Sequence, residues 1–220
     1  MKHSEAFSDR SSAGRELASA LMAKKLVDPV VLALPRGGVP VATEIANALK
    51  APLDIVLVRK IGVPYQPELA VAAVVDGDSP EVVVNEDVAQ LADIPAGYVD
   101  EQVRRELKEI ERRRSVFLQR RDRVRLEDRT IILVDDGIAT GASVRAALKA
   151  LRKKHPRRLI LAVPVAPAET LDDLKSEVDE IVCLRMPQPF IAIGVHYRDF
   201  HQLNDDEVVA LLAAQAAEGE

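Results

Sequence analysis

The run TIILVDDGIATGAS, residues 130–143, limits the chain more than any other stretch, because it joins an apolar strand, two carboxylates and a small-residue turn without interruption. Thr130 to Val134 is short, β-branched and apolar, which suits a parallel strand covered on both faces. Polarity then switches at Asp135 and Asp136, placing two acids where open α/β sheets bind ligands. Small residues and two hydroxyls follow from Gly137 to Ser143, with a helical pattern beginning near Ala142. Amides of such a turn, together with a helix N-terminus, can hold a phosphate without any side-chain charge. A nucleoside triphosphate loop would need Gly-Lys-Ser/Thr at its end, whereas Gly141 is followed here by Ala142. Acids ahead of a lysine-free turn suit a ligand with both hydroxyls and a phosphate. The plainer reading is an ordinary strand-to-helix turn with exposed acids.

The repeated strand-then-helix order predicts an α/β fold with a doubly wound, mainly parallel sheet. Ser11 or Ser12 is expected to cap a first helix, followed by a strand from Val30 to Leu34 and a helix from LPRGGVP to Ala48. A second strand is expected from Leu53 to Arg59. PELAVAAVV and EVVVN read as further strands, an antiparallel pair being one arrangement. A charged helix from Asp100 to Leu118 would bury Val103, Leu107, Ile110 and Phe117. Beyond the phosphate turn come a helix to Lys154, a strand from Leu159 to Val165, a short helix from Glu169 to Lys175 and a strand from Glu180 to Leu184. Only the tail AAQAAEGE reads as loosely held.

At 220 residues, one domain spanning 1–220 accounts for the chain. No apolar run approaches the roughly 20 residues that cross a bilayer, and the start MKHSEAFSDR lacks a signal peptide's apolar stretch, so a cytoplasmic protein with no membrane partner is expected. Cys183 is alone, which excludes an internal disulfide, and reads as a buried strand residue. A net charge of -5 argues against nucleic acid as the partner. The nine arginines and Lys108 between 104 and 125 face several glutamates, and read as a solvated helix laced by pairs such as Glu101 with Arg105 and Glu109 with Arg113.

With these residues in hand, VDDGIATGAS resembles the phosphoribosyl pyrophosphate loop of the type I phosphoribosyltransferases. LPRGGVPVA, VRKIGVP, PELAVAAV and FIAIGVHYRDF resemble a bacterial subgroup of that family, over about Phe7 to Val208. The resemblance implies a small hood, about 185–204 with the N-terminal segment, and a helical insertion at about 86–125. It further implies a magnesium-dependent transfer of 5-phosphoribosyl from phosphoribosyl pyrophosphate to an unidentified nitrogen acceptor of nucleobase-like kind, releasing pyrophosphate. A homodimer is compatible with this reading.

Two anion grips are then expected. Gly137, Ile138, Ala139, Thr140, Gly141, Ala142 and Ser143 would hold the 5′-phosphate. Arg36, with Gly37 and Gly38 allowing close backbone approach, and Arg59 with Lys60 would neutralise pyrophosphate. The resemblance also implies a non-proline cis peptide near Arg36 and Gly37. Asp135 and Asp136 resemble the acid pair that takes the ribose hydroxyls, and could hold Mg2+ through water; with Lys60 they are the candidate catalytic residues. Ala139 stands where 6-oxopurine enzymes place a general-base aspartate, and AVPVAP lacks their purine-recognising lysine, which disfavours hypoxanthine or guanine. Glu68 reads as a surface residue more readily than as an acid/base group. In the hood, Phe190 or Tyr197 could stack on a flat acceptor, core packing being the competing role. His196 and His201 read as surface residues. The alternative function is a non-catalytic regulator that senses phosphoribosyl pyrophosphate or a nucleotide and signals to RNA or protein. An esterase or phosphatase is disfavoured, since neither a Gly-x-Ser-x-Gly elbow nor Asp-x-Asp spacing is present.

Overall fold

The computed structural model describes residues 6–92, 94–119 and 121–218. Five parallel strands form the main sheet: β1 (Pro29–Ala33), β2 (Leu53–Ile55), β6 (Thr130–Val134), β7 (Arg158–Val165) and β8 (Glu180–Arg185), in the order β2-β1-β6-β7-β8. The strand Thr130–Val134 is central and fully buried, as its unbroken apolar composition requires of a strand covered on both faces. Alternate residues feed two cores. Val31, Ala33, Ile132, Val134, Ile160 and Ala162 face a layer built from α1 (Arg10–Met22), α2 (Gly38–Leu49) and α7 (Asp205–Glu218). Val30, Leu32, Ile131, Leu133, Leu159 and Leu161 face α5 (Ala142–Arg152) and α6 (Ala168–Leu174). Helices on both faces of a parallel sheet make the expected doubly wound fold.

β1 lies between β2 and β6, with Ala33 level with Ile55 on one side and Val134 on the other. The chain therefore leaves β1 toward one edge and later fills the sheet toward the other. The crevice at such a reversal, outside the carboxyl ends of the strands, is where open sheets bind ligands. LPRGG follows β1 and VDDG follows β6, so both expected loops border it.

The strand expected over Leu53–Arg59 is instead divided. β2 stops at Ile55 because the chain turns away through Val56 and Leu57, and β3 (Val58–Val63) begins a separate antiparallel sheet with β4 (Gln66–Val75) and β5 (Glu81–Val84). The apolar run is continuous in sequence because Val56 and Leu57, between the two strands, are themselves buried. PELAVAAVV and EVVVN do pair antiparallel, with Ala73 opposite Val83. Between 86 and 125 lie α3 (Glu86–Leu91) and α4 (Tyr98–Leu118), whose Ile110 and Phe117 are buried and whose Val103 and Leu107 pack at the margin.

Two helix ends differ from expectation. Asp9, not Ser11 or Ser12, caps α1: its carboxylate accepts from the Ser12 amide at 2.6 Å while the Ser12 hydroxyl accepts from the Asp9 amide at 3.1 Å. Near the C-terminus, α7 carries most of the tail read as loosely held, and Gln215 donates to the Ala51 carbonyl. Asn204 and Glu207 form a second reciprocal cap at its start, at 2.9 and 2.8 Å. Cys183 is half-buried on β8, its Sγ directed to the Arg185 carbonyl. Among the described residues no helix is long and apolar enough to cross a membrane.

Candidate functional site

After β6 the chain reaches the crevice through Asp135 and Asp136, then turns over Gly137 and Ile138, whose side chain is buried and whose amide donates to the Val165 carbonyl. That bond fastens the start of the turn to the next strand, leaving Ala139, Thr140 and Ala142 exposed and Ser143 half-buried above it. Thr170 of α6 donates its hydroxyl to the Ala139 carbonyl at 2.8 Å and holds the turn from the side. Gly141 enters α5 with φ of 73°, a left-handed conformation in which a side chain would be strained, and its added Cβ would lie 2.9 Å from a Thr170 methyl. The amides of Ala139, Thr140 and Gly141 make no hydrogen bond among the described residues. Three free amides at the N-terminus of an 11-residue helix form a concave donor set suited to a phosphate.

The loop after β1 carries a cis peptide between Pro35 and Arg36, as the resemblance implied. Gly38 packs so tightly that a Cβ would sit 2.7 Å from the Val134 carbonyl oxygen. At Gly37 a Cβ would lie 2.1 Å from Oδ2 of Asp136, so the absence of a side chain makes room for the acid. Arg36 is half-buried; its guanidinium donates to the Leu203 carbonyl at 2.6 Å and lies 3.8 Å from Asp205.

The two acids are not equivalent. Asp135 is partly exposed and accepts from the Asp136 amide at 2.9 Å. Asp136, expected at an exposed strand end, is 8% exposed and closed off by Arg10 of α1, whose Nε donates to Oδ2 at 2.8 Å. Burial raises the pKa of Asp135 well above the usual carboxylate range, and the neighbouring Asp136 charge adds to the effect. Burial raises Asp136 as well, while the Arg10 hydrogen bond and charge pull it back.

Tyr197 is not available to stack on an acceptor: it is buried between Phe7 and Phe200 and donates its hydroxyl to the Asp136 carbonyl at 2.5 Å. Its phenol is pushed far up by burial and stays protonated as a donor. Tyr197→Phe is therefore expected to lower stability by about 1 kcal/mol, the net value of one buried hydrogen bond, in a thermal melt. Phe190 is half-buried and stacks on His196, with ring centroids 5.8 Å apart. The surrounding segment pairs with the N-terminal segment through a bridge between Phe7 and Tyr197. Met186, Ile191 and Val195 remain exposed on it.

Arg59 and Lys60 lie on β3 of the second sheet, not at the end of β2. Arg59 pairs with Glu106 of α4 at 2.6 Å. Lys60 is exposed and makes no ion pair among the described residues, and Glu68 is exposed on β4. His196 is half-buried rather than superficial, and its Nε2 is enclosed without a hydrogen-bond partner. His201 is exposed but engaged, lying 3.0 Å from both Asp199 and Glu207 and so joining the segment before α7 to its first turn. Those two bonds raise its pKa. Their contribution is fully present below the unfolded value near 6.5 and is lost as pH rises through the higher folded value. Thermal stability should consequently fall above pH 6.5 more steeply in the parent than in His201→Gln, and parallel curves would contradict the linkage.

Arg10 was not anticipated from the sequence, although a signal exists. It heads the stripe Ala13, Gly14, Leu17 and Leu21, at helical spacing, and a charge on an apolar stripe must find a buried partner. The expected Glu109–Arg113 pair is present at 2.8 Å, whereas Glu101 and Arg105 form none among the described residues. Arg120 falls outside the described residues.

A doubly wound sheet with acids and a free-amide turn at its reversal point has the layout of an α/β protein built for a phosphorylated ligand. The family described as "Phosphoribosyl transferase domain" matches residues 82–199, more than half of the chain, and the chain belongs to that family. Two Mycobacterium tuberculosis proteins, named "Putative phosphoribosyl transferase MT0597" and "Putative phosphoribosyl transferase Rv0571c", are each 46% identical to it over 206 residues. The match covers 94% of this chain and 46% of each relative, so the chain spans about half their length. The crystal structure of TT1426 from Thermus thermophilus is 42% identical, with a TM-score of 0.83 over 96% of this chain and 99% of that one.

Proposed function

We propose that the chain binds phosphoribosyl pyrophosphate at the β1–β6 crevice and transfers its 5-phosphoribosyl group to a nitrogen acceptor, releasing pyrophosphate. The free amides of Ala139, Thr140 and Gly141 at the start of α5, beside the partly exposed Asp135, carry this reading. The turn from Gly137 to Ser143 takes the 5′-phosphate, and the Thr140 and Ser143 hydroxyls add donors. Asp135 accepts from the ribose hydroxyls. Arg36 and the Gly37–Gly38 backbone face the pyrophosphate, with Lys60 the further cation. The acceptor is a flat heterocycle of nucleobase kind, held beneath the segment of Phe190, Ile191 and Val195.

Magnesium fits this arrangement as an ion carried mainly by the ligand's own oxygens. No group of three or more His, Cys, Asp or Glu side chains gathers as a metal site among the described residues, and Asp136 is committed to Arg10. Asp135 is the carboxylate left to hold the ion, directly or through water. When bound, the ion supplies charge neutralisation to the departing pyrophosphate.

Calorimetric titration with phosphoribosyl pyrophosphate, with and without magnesium, tests the site, and pyrophosphate release with candidate acceptors tests the transfer. Saturable binding strengthened by magnesium is expected; no binding in either condition sinks the proposal. Lys60→Ala should weaken binding of pyrophosphate more than of ribose 5-phosphate, and equal losses would remove Lys60 from the site. The regulator reading loses support because much of the basic segment is engaged within the molecule: Arg112 and Arg113 on Glu109, Arg114 on Asp54 and Asp76, and Arg123 on Asp76 and Asp78.

A further inference from the structure

Arg36 is held by the segment that leads into α7. Its Nη1 donates to the Leu203 carbonyl at 2.6 Å and lies 3.8 Å from Asp205, whereas its Nε and Nη2 make no hydrogen bond among the described residues. Leu203 is pinned on both sides. Before it, the His201 ring lies 3.0 Å from both Asp199 and Glu207, and the His201 amide donates to Asp199 at 3.1 Å. After it, the Asn204 amide donates to the same Glu207 at 2.8 Å, and the Glu207 amide donates to the Asn204 side chain at 2.9 Å. The Leu203 side chain is 7% exposed, which anchors the middle of the segment. Around the His201 ring, α1 presents Asp9 and Arg10, α2 presents Pro40, and Arg10 donates to the His201 carbonyl at 3.0 Å.

A long cation that its ligand must order loses side-chain freedom on binding, and a cation ordered beforehand does not. Arg36 is ordered beforehand at one nitrogen of its fork. We propose that His201, clasping Asp199 to Glu207, is a positioning residue for pyrophosphate: it fixes the Leu203 carbonyl, which aims the Nε and Nη2 edge of Arg36 into the crevice. The inference rests on the reading in which Arg36 faces pyrophosphate. His201 touches no reacting atom and acts on the ligand through Arg36. Hydrogen bonds from Asp199 and Glu207 raise the His201 pKa, so the clasp has full strength below the unfolded value near 6.5 and weakens as pH rises through the folded value.

Calorimetry with inorganic pyrophosphate and magnesium, and separately with ribose 5-phosphate, distinguishes this role from a merely structural one through a double-mutant cycle. His201 is exposed, so its truncation opens no cavity. Arg36→Ala should weaken pyrophosphate by roughly 10-fold and His201→Ala by roughly 5-fold near pH 6, with ribose 5-phosphate changed by less than about twofold. In the Arg36→Ala background, His201→Ala should have no further effect, because the cation that it positions is gone. The ratio of parent to His201→Ala affinity should shrink toward unity by about pH 8.5, and taking that ratio at each pH cancels the ligand's own titration. No loss in His201→Ala, additive losses in the cycle, equal losses for the two ligands, or a ratio independent of pH would overturn the role of His201. Unchanged pyrophosphate binding by Arg36→Ala, or a parent protein that binds neither ligand, overturns the reading of the site and this inference with it.

Discussion

Arg114→Ala is expected to destabilise the protein by about 3–5 kcal/mol, the range for breaking a buried ion pair from one side. Arg114 reaches inward from α4, with one nitrogen 3.1 Å from both carboxylate oxygens of Asp54 on β2 and another 2.8 Å from Asp76 beyond β4. The side chains of Asp54 and Asp76 are 8% and 2% exposed. Removing the guanidinium would leave Asp54 with only backbone donors such as the Val124 amide, and Asp76 with Arg123 alone. The network ties α4 to both sheets at once, so its loss should be felt in global unfolding. For a chain of this length, the melting temperature should fall by roughly 10 °C, measured by circular dichroism at neutral pH. A change equivalent to less than about 1 kcal/mol would mean that the pair's attraction barely exceeds its desolvation cost.

Thr140→Glu should separate binding from stability in the opposite way. Thr140 is exposed on a turn whose neighbouring amides are free, so a longer side chain meets no packing obstacle. Its carboxylate would occupy those amides as an N-terminal cap and place a like charge where the phosphate sits. The expected result is a loss of about 100-fold in phosphoribosyl pyrophosphate affinity, or about 2.7 kcal/mol, with the melting temperature unchanged or slightly raised. Unaltered calorimetric affinity would show that the ligand's phosphate lies elsewhere.

Much of the architecture was legible because it depends on local pattern. The all-apolar Thr130–Val134, the acids that end it and the small residues that follow are contiguous, so strand, turn and helix start follow from short-range rules. The start of α7 was also written in the chain: Asn204 and Glu207 have capping-box spacing ahead of an apolar run, a signal outweighed by the alanine-rich tail. The division of Leu53–Val63 between two sheets was not legible, since the apolar residues run unbroken from Ile55 to Val58 and no breaker marks the turn through the buried Val56 and Leu57.

The sequence by itself determined most strands and helices of the main sheet, that this sheet is parallel and covered on both faces, and that two acids and a small-residue turn meet at one strand end. Hydrophobic periodicity and turn chemistry are local, and they suffice for that. Only the tertiary structure decided that Asp136 is the more enclosed of the two adjacent aspartates, because the answer lies with Arg10, 126 positions away, and with the absent side chain of Gly37. It likewise decided that Tyr197 braces the Asp136 backbone and that Arg59 serves α4. A side chain's composition states what it can bond to; which partner it meets depends on long-range packing that brings distant segments together.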